Sequence, residues 1–459
     1  MEFVWLSVSR NDLKIELKQC RDEGKDVPPA LQAEFDALDV DEVWSDPALR
    51  PKAGALLDRT ALLPVRGDFR YVEPSKLAEI LAVRPAAVKI PAMKLGRNAL
   101  LDKAHGAWTG RCAGCLLGKG VEGRHSSQIE NYLKSQGRWP LTTWFSNQAD
   151  EAVRAENKFP PPDNPFYAEN ITCMVEDDDT NYTTVGLAVM KRKGAAFTPE
   201  DIAEFWLRQI PILHCCTAEL VAYRNTVNLL PVPDGQGNFA GPYSTATYRN
   251  PYREWIGAQI RGDFFGYACP GDPQRAAELA YRDAALSHVK NGIYGEMWVA
   301  AMLAAAYVCD DVEQVIRAGM AQIPANCRLH EDLAQVLAWR AAGLSYEQAI
   351  GTFRQRWNEH NGHHWVHTNS NAQLVAVALL WGEMDLGTTL CRAVMPGFDT
   401  DCNGATAGSV LGLILGRKAL PAEWADPIRD TLVTGVHGYH EVSLSDMAAR
   451  TIEVIEAIS

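Results

Sequence analysis

From residue 403 to 416 the segment NGATAGSVLGLILG places a glycine at every fourth position: Gly404, Gly408, Gly412 and Gly416. Residues four apart share one face of an α-helix. Each interior glycine costs a helix roughly 1 kcal/mol against alanine, so four in register imply a compensating gain. Close backbone approach to a neighbouring helix is that gain. The segment is therefore expected to be a central, tightly packed helix whose N-terminus lies inside the molecule. Two acids, Asp399 and Asp401 of GFDTDC, sit at that N-terminus.

The remainder of the chain fits such a centre. From about residue 200 onward, Ala- and Leu-rich stretches such as DPQRAAELAYRDAALSH, GEMWVAAMLAAAYV and EDLAQVLAWRAAG follow one another with short breaks. Period-two runs of β-branched residues are scarce, which predicts an all-α core. Thr198 with Asp201 three residues on marks one helix start. FPPPDNPF and PVPDGQGNFAGPYS read as irregular loops. Residues 1–104 are more charged and richer in proline, and are taken as an N-terminal accessory region ahead of a helical domain over 105–459.

The formal net charge of −13 excludes a general nucleic-acid or anionic-membrane surface, both of which need clustered Lys and Arg. The longest apolar run, MWVAAMLAAAYVC, is too short to span a bilayer and suits a buried helix. The charged start shows no leader pattern. Eleven scattered cysteines fit reduced thiols better than a disulfide framework. A cytoplasmic location is expected.

A second acidic group, VEDDDTNYTTVGLAV, contains Glu176, Asp177, Asp178 and Asp179 in succession before an apolar helical pattern. One or two acids at a helix start are ordinary capping and dipole residues. Four exceed that need, and their mutual repulsion calls for solvent or a cation. Carboxylate oxygens suit Mg²⁺, Mn²⁺ or Ca²⁺. Together the two groups predict a carboxylate-rich metal site where two helix N-termini converge. HNGHHWVHTNSN, by contrast, is a weak zinc pattern, lacking Cys or Glu at ligand spacing. Its His367 and Asn369, with Asn371, are expected to line a cleft or bond backbone. The CxxC of Cys112 and Cys115 reads as packing.

The pairing of DDDT with GFDTDCNGA, in that order on an all-α chain, resembles the two signatures of the ADP-ribosylglycohydrolase family. GRCAGCLLGKGVEG is similar to the family's first core helix, GAQIR and LSH to substrate-site segments, and VHTNSNAQLVAVALL to the helix before the last motif. The resemblance spans about residues 105–420. It implies an orthogonal α-helical bundle with a binuclear metal centre, two Mg²⁺ with Mn²⁺ as an alternative. It further implies Asp177, Asp178, Asp179, Asp399 and Asp401 as metal ligands, Asp401 bridging, and Arg261 and His288 as substrate-binding groups. Glu122 would be the acid that ends the first helix. Three residues depart from the pattern: Asp177 and Cys402 replace hydroxyl ligands, and Lys119 stands where a Gly-Asp pair is expected. The segment before Arg261 also lacks the usual Gly-Asn-Gly loop.

The implied activity is metal-dependent hydrolysis of an N- or O-glycosidic bond at the anomeric carbon of a ribosyl or ADP-ribosyl group. Asp178, Asp179 or Glu122 would serve as acid or base. The substrate would be a small riboside or an ADP-ribosylated molecule. The alternative is a protein of the same fold that binds the ribose without cleaving it, a reading motivated by Cys402.

Overall fold

The computed structural model describes residues 6–458. The N-terminal stretch read above for a leader pattern begins with residues 1–5, which lie outside the described residues. Among those described, 22 α-helices carry the fold, and the sheet content is one antiparallel pair, Thr431–Val433 with Glu441–Ser443. The all-α expectation holds.

The glycine face of the Thr400–Leu415 helix meets a matching face on Arg97–Lys119. The two run antiparallel, with Gly106 against Gly412, Gly110 against Gly408, and Gly114 against Gly404. A Cβ on Gly110 would lie 2.2 Å from the Gly408 carbonyl oxygen, and one on Gly114 1.9 Å from that of Gly404. No side chain fits between these backbones. At the end of the interface Thr400 Oγ1 donates to the Gly118 carbonyl at 2.8 Å. This fixes the start of one helix beside the end of the other.

Around this pair lie Asn291–Ala306 and Thr368–Trp381, in which every residue is buried. Beyond polar first turns that hold Asn291 and Glu296 in one and Asn369, Asn371 and Gln373 in the other, both are apolar or small on all sides, as enclosed helices are. The segment NGIYGEM forms the first turns of the Asn291–Ala306 helix.

Helices Arg10–Asp22, Pro29–Ala37 and Arg50–Ala61 bury a small core of their own, including Leu13, Leu17, Leu31, Phe35, Leu56 and Leu57. The first of them also reaches the main body. Its Ile15 packs with Tyr252, Trp255 and Val366. Arg253 joins Glu16 at 2.6 Å and Glu23 at 2.7 Å, and the Tyr252 hydroxyl donates to Asp12 at 2.7 Å.

Candidate metal centre

The Asp178–Lys193 helix begins at a fixed point. Met174 exchanges backbone hydrogen bonds with Thr431 and Val433 beside the small sheet. Asp177 then caps the helix, its Oδ1 accepting the Asp179 N–H at 2.9 Å. The facing N-terminus is entered through a turn in which Gly397 and Phe398 have φ of +76° and +62°. Phe398 is held in this left-handed conformation by burial against Phe353, Trp357 and Leu374. The Asn371 side-chain oxygen accepts the Asp399 backbone N–H at 3.3 Å and the Asn403 amide at 2.9 Å, which locks the turn.

Between these two helix starts is a cleft of about 450 Å³. Its acidic lining includes Glu122, Asp177, Asp178, Asp399 and Asp401. Lys119, Glu219, Trp255, Trp365 and Cys402 complete its principal surfaces. Asp401 is buried and its Oδ1 has no hydrogen-bond partner. Asp399 and Glu122 each share a side-chain hydrogen bond with the Asp401 carboxylate. Burial foremost, then the neighbouring acids, pushes the Asp178, Asp399 and Asp401 carboxyls above their ordinary range. Glu122, open to solvent at the mouth, is raised well above its usual value, chiefly by the charge of Asp401. Such carboxylates strongly repel one another unless a proton or a cation joins them. Asp399, Asp401 and Cys402 place ligand atoms within 4.8 Å of one another. Hard oxygens so clustered fit a divalent cation.

The remaining predicted residues lie elsewhere. Asp179 turns inward to Arg111, whose Nη2 is 3.1 Å from Asp179 Oδ1 and whose Nη1 is 2.9 Å from Asp263. Arg261 and His288 sit behind the cleft wall. Arg261 is ion-paired with Glu219 and Asp283, and His288 Nδ1 pairs with the Ser287 hydroxyl at 2.8 Å. Glu219 thus links the cleft to this network, and burial raises its pKa to about 6 despite Arg261. His367 and Asn369 line a different cavity, together with Arg70, Arg328 and Trp357. His367 Nδ1 caps the Thr368–Trp381 helix by accepting the Asn369 N–H at 3.1 Å, and Asn369 donates to Asp332 at 2.8 Å.

His363, His367 and Asp22 are close enough to hold a metal, but the ring tautomers oppose it. His363 Nδ1 accepts the Trp255 indole N–H at 2.9 Å, just as His367 Nδ1 accepts a backbone N–H. Each Nε2 therefore carries the proton and has no lone pair for zinc.

Sequence reasoning missed Glu219, Trp365 and the Glu176–His214 pair at the cleft, joined at 3.0 Å. No motif marks them. Glu219 sits on the short Thr217–Val227 helix, where an acid in the first turn looks like an ordinary dipole residue.

The ADP-ribosylglycohydrolase profile matches residues 96–456. The chain therefore belongs to the ADP-ribosylglycohydrolase family, hydrolases of ADP-ribosyl-type substrates. Among solved structures it is similar to one described as an ADP-ribosylglycohydrolase-related protein complex. Identity is 18%, with 79% of this chain and 100% of that chain covered and a TM-score of 0.48. No curated protein matches it in sequence. Among the described residues, no helix is long and apolar enough to cross a membrane.

Proposed function

We propose that this chain is a divalent-metal-dependent glycosidase that cleaves an N- or O-glycosidic bond at the anomeric carbon of a ribosyl or ADP-ribosyl group. The observation that carries the reading is the convergence of Asp178, Asp399 and Asp401 on one cleft, with the buried Asp401 Oδ1 lacking any protein hydrogen-bond partner. Asp399 and Asp401 would hold the cation, Mg²⁺ or Mn²⁺, with Asp178 opposite. When bound, such an ion supplies a chelate for sugar hydroxyls and lowers the pKa of water.

The chain's own groups supply the rest. Glu122, whose carboxyl the charge of Asp401 raises above its usual range, lies at the mouth of the cleft and would suit protonation of the leaving group. Asp178 stands where it can orient and deprotonate the attacking water, and the surrounding carboxylates favour an oxocarbenium-like transition state. Asp179, bound to Arg111, holds the helix start in place. Trp255 and Trp365 give the cleft flat apolar walls that exclude bulk water. Without a Gly-Asn-Gly loop, a small riboside is at least as suitable a substrate as an ADP-ribosyl conjugate. Residues 1–104 would act as an accessory region that braces the Trp255 wall.

Cys402 favours a second reading, a ribose-binding protein without turnover. Mass spectrometry on ribosides and ADP-ribosyl conjugates, with Mg²⁺, Mn²⁺ or EDTA, separates the two. Metal-dependent release of ribose or ADP-ribose, lost in Asp401→Asn, supports the hydrolase. Ligand-dependent melting with no product supports the binder.

A further inference from the structure

We infer that the ammonium group of Lys119 is a built-in replacement for one metal ion, so that the cleft takes a single divalent cation. The inference rests on the metal-dependent reading above and deepens it.

Two groups of three side chains bring potential ligand atoms within 4.8 Å of one another: Asp399, Asp401 and Cys402, and Cys115, Asp177 and Asp179. They differ in what their oxygens already do. In the first group Asp401 Oδ1 is buried and unpartnered. In the second, Asp177 Oδ1 accepts the Asp179 N–H at 2.9 Å, and Asp177 Oδ2 lies 2.5 Å from Lys119 Nζ. Asp179 Oδ1 faces the Arg111 guanidinium at 3.1 Å. Within that group this leaves Asp179 Oδ2 and one buried thiol, a poor donor set for a hard cation, with Asp178 the one further carboxylate at this helix start.

Lys119 is well placed for this role. It is in the last turn of Arg97–Lys119, where the free carbonyls favour a positive charge. Its side chain lines the cleft. Each oxygen of Asp177 already accepts one bond, and the ammonium and the acid neutralise each other in place. A second divalent ion beside Asp177 would have to displace Lys119 or endure its repulsion at short range. Lys119 and Asp177 are also two of the departures from the family pattern, one adding a positive charge and the other a negative one.

The test is metal stoichiometry on the full chain, stripped with EDTA and titrated with Mn²⁺. Equilibrium dialysis with elemental analysis counts the ions, and electron paramagnetic resonance reports whether they are paired. The wild type should bind one Mn²⁺ per chain with an isolated-ion spectrum, and Lys119→Arg should do the same. Lys119→Met or Lys119→Gln, whichever keeps the native circular dichroism, should bind two and show spin coupling. Two coupled ions in the wild type would overturn the inference and leave the hydrolase reading standing. One ion in the neutral variants would overturn the role of Lys119. No ion in the wild type would overturn both.

Discussion

Gly110 and Gly408 meet backbone to backbone: a Cβ on Gly408 would stand 2.1 Å from the Gly110 carbonyl oxygen. The obstacle is main chain in a buried helix, so it cannot rotate away. Gly408→Ala should therefore destabilise the protein by about 3 kcal/mol, the upper end of ordinary overpacking. It should also weaken metal binding, since the Asp399 and Asp401 turn is attached to the displaced helix. Gly351, in the exposed Tyr346–Phe353 helix with nothing near its Cβ position, is the control. Gly351→Ala should stabilise by about 1 kcal/mol. Urea denaturation measures both.

The glycine period of the last core helix was legible in sequence because it violates helix propensity three times in one register, at Gly404, Gly408 and Gly412, while Gly416 proves to be the C-cap, with φ of +77°. Its partner was harder to read. Gly106, Gly110, Gly114 and Gly118 lie on the same four-residue period, yet only the pairing with Gly412, Gly408 and Gly404 gives that period a meaning. The acids were legible as a group but not by direction. Asp178 and Asp179 are adjacent in sequence and so point about 100° apart on a helix. One faces the cleft and the other Arg111, whose buried charge carries no sequence signal of its own. Arg261 and His288 fall near the site, but three acids across the wall determine which side of it Arg261 serves.

Arg111 donates to the carbonyls of Asp179 and Ile260, both at 2.8 Å, while pairing with Asp179 and Asp263. Arg111→Met would fill much of the volume but leave two buried carboxylates without a counter-ion. A loss of about 3 to 5 kcal/mol in unfolding free energy is expected. Adding Asp263→Asn should restore part of it, because one unpaired charge is then removed. A double variant no better than the single would show that the carbonyl contacts dominate.

Metal and pH should act on stability in opposite senses. In the metal-free protein Asp178, Asp399, Asp401 and Glu122 have carboxyl pKa values raised above the ordinary range. The folded state therefore binds protons that the unfolded state, with carboxyl pKa values near 4, does not. Stability from these groups rises as pH falls through their folded values, and stops rising at about pH 4. With EDTA present, Asp399→Asn and Asp401→Asn should thus gain most over the wild type at about pH 8 and least at about pH 5. With Mg²⁺ present the wild type should gain most at about pH 8, where protons compete least. Melting temperatures across that range, each measured as a difference between variant and wild type, check the sign.

The Arg253 cluster tests what the N-terminal region contributes. Arg253 is buried between Glu16 and Glu23 of the N-terminal region, two residues before the cleft-lining Trp255. Arg253→Ala would leave both glutamates buried and unpaired, at a cost of about 3 to 5 kcal/mol. Removing the exposed Arg59–Glu34 pair of the same region should leave the unfolding midpoint essentially unchanged. Because Arg253 lies two residues from the Trp255 wall and outside the cleft lining, its loss should raise KM more than it lowers kcat, with metal stoichiometry unchanged. An equal fall in kcat and in bound metal would mean that the N-terminal region supports the carboxylates themselves and not the Trp255 wall.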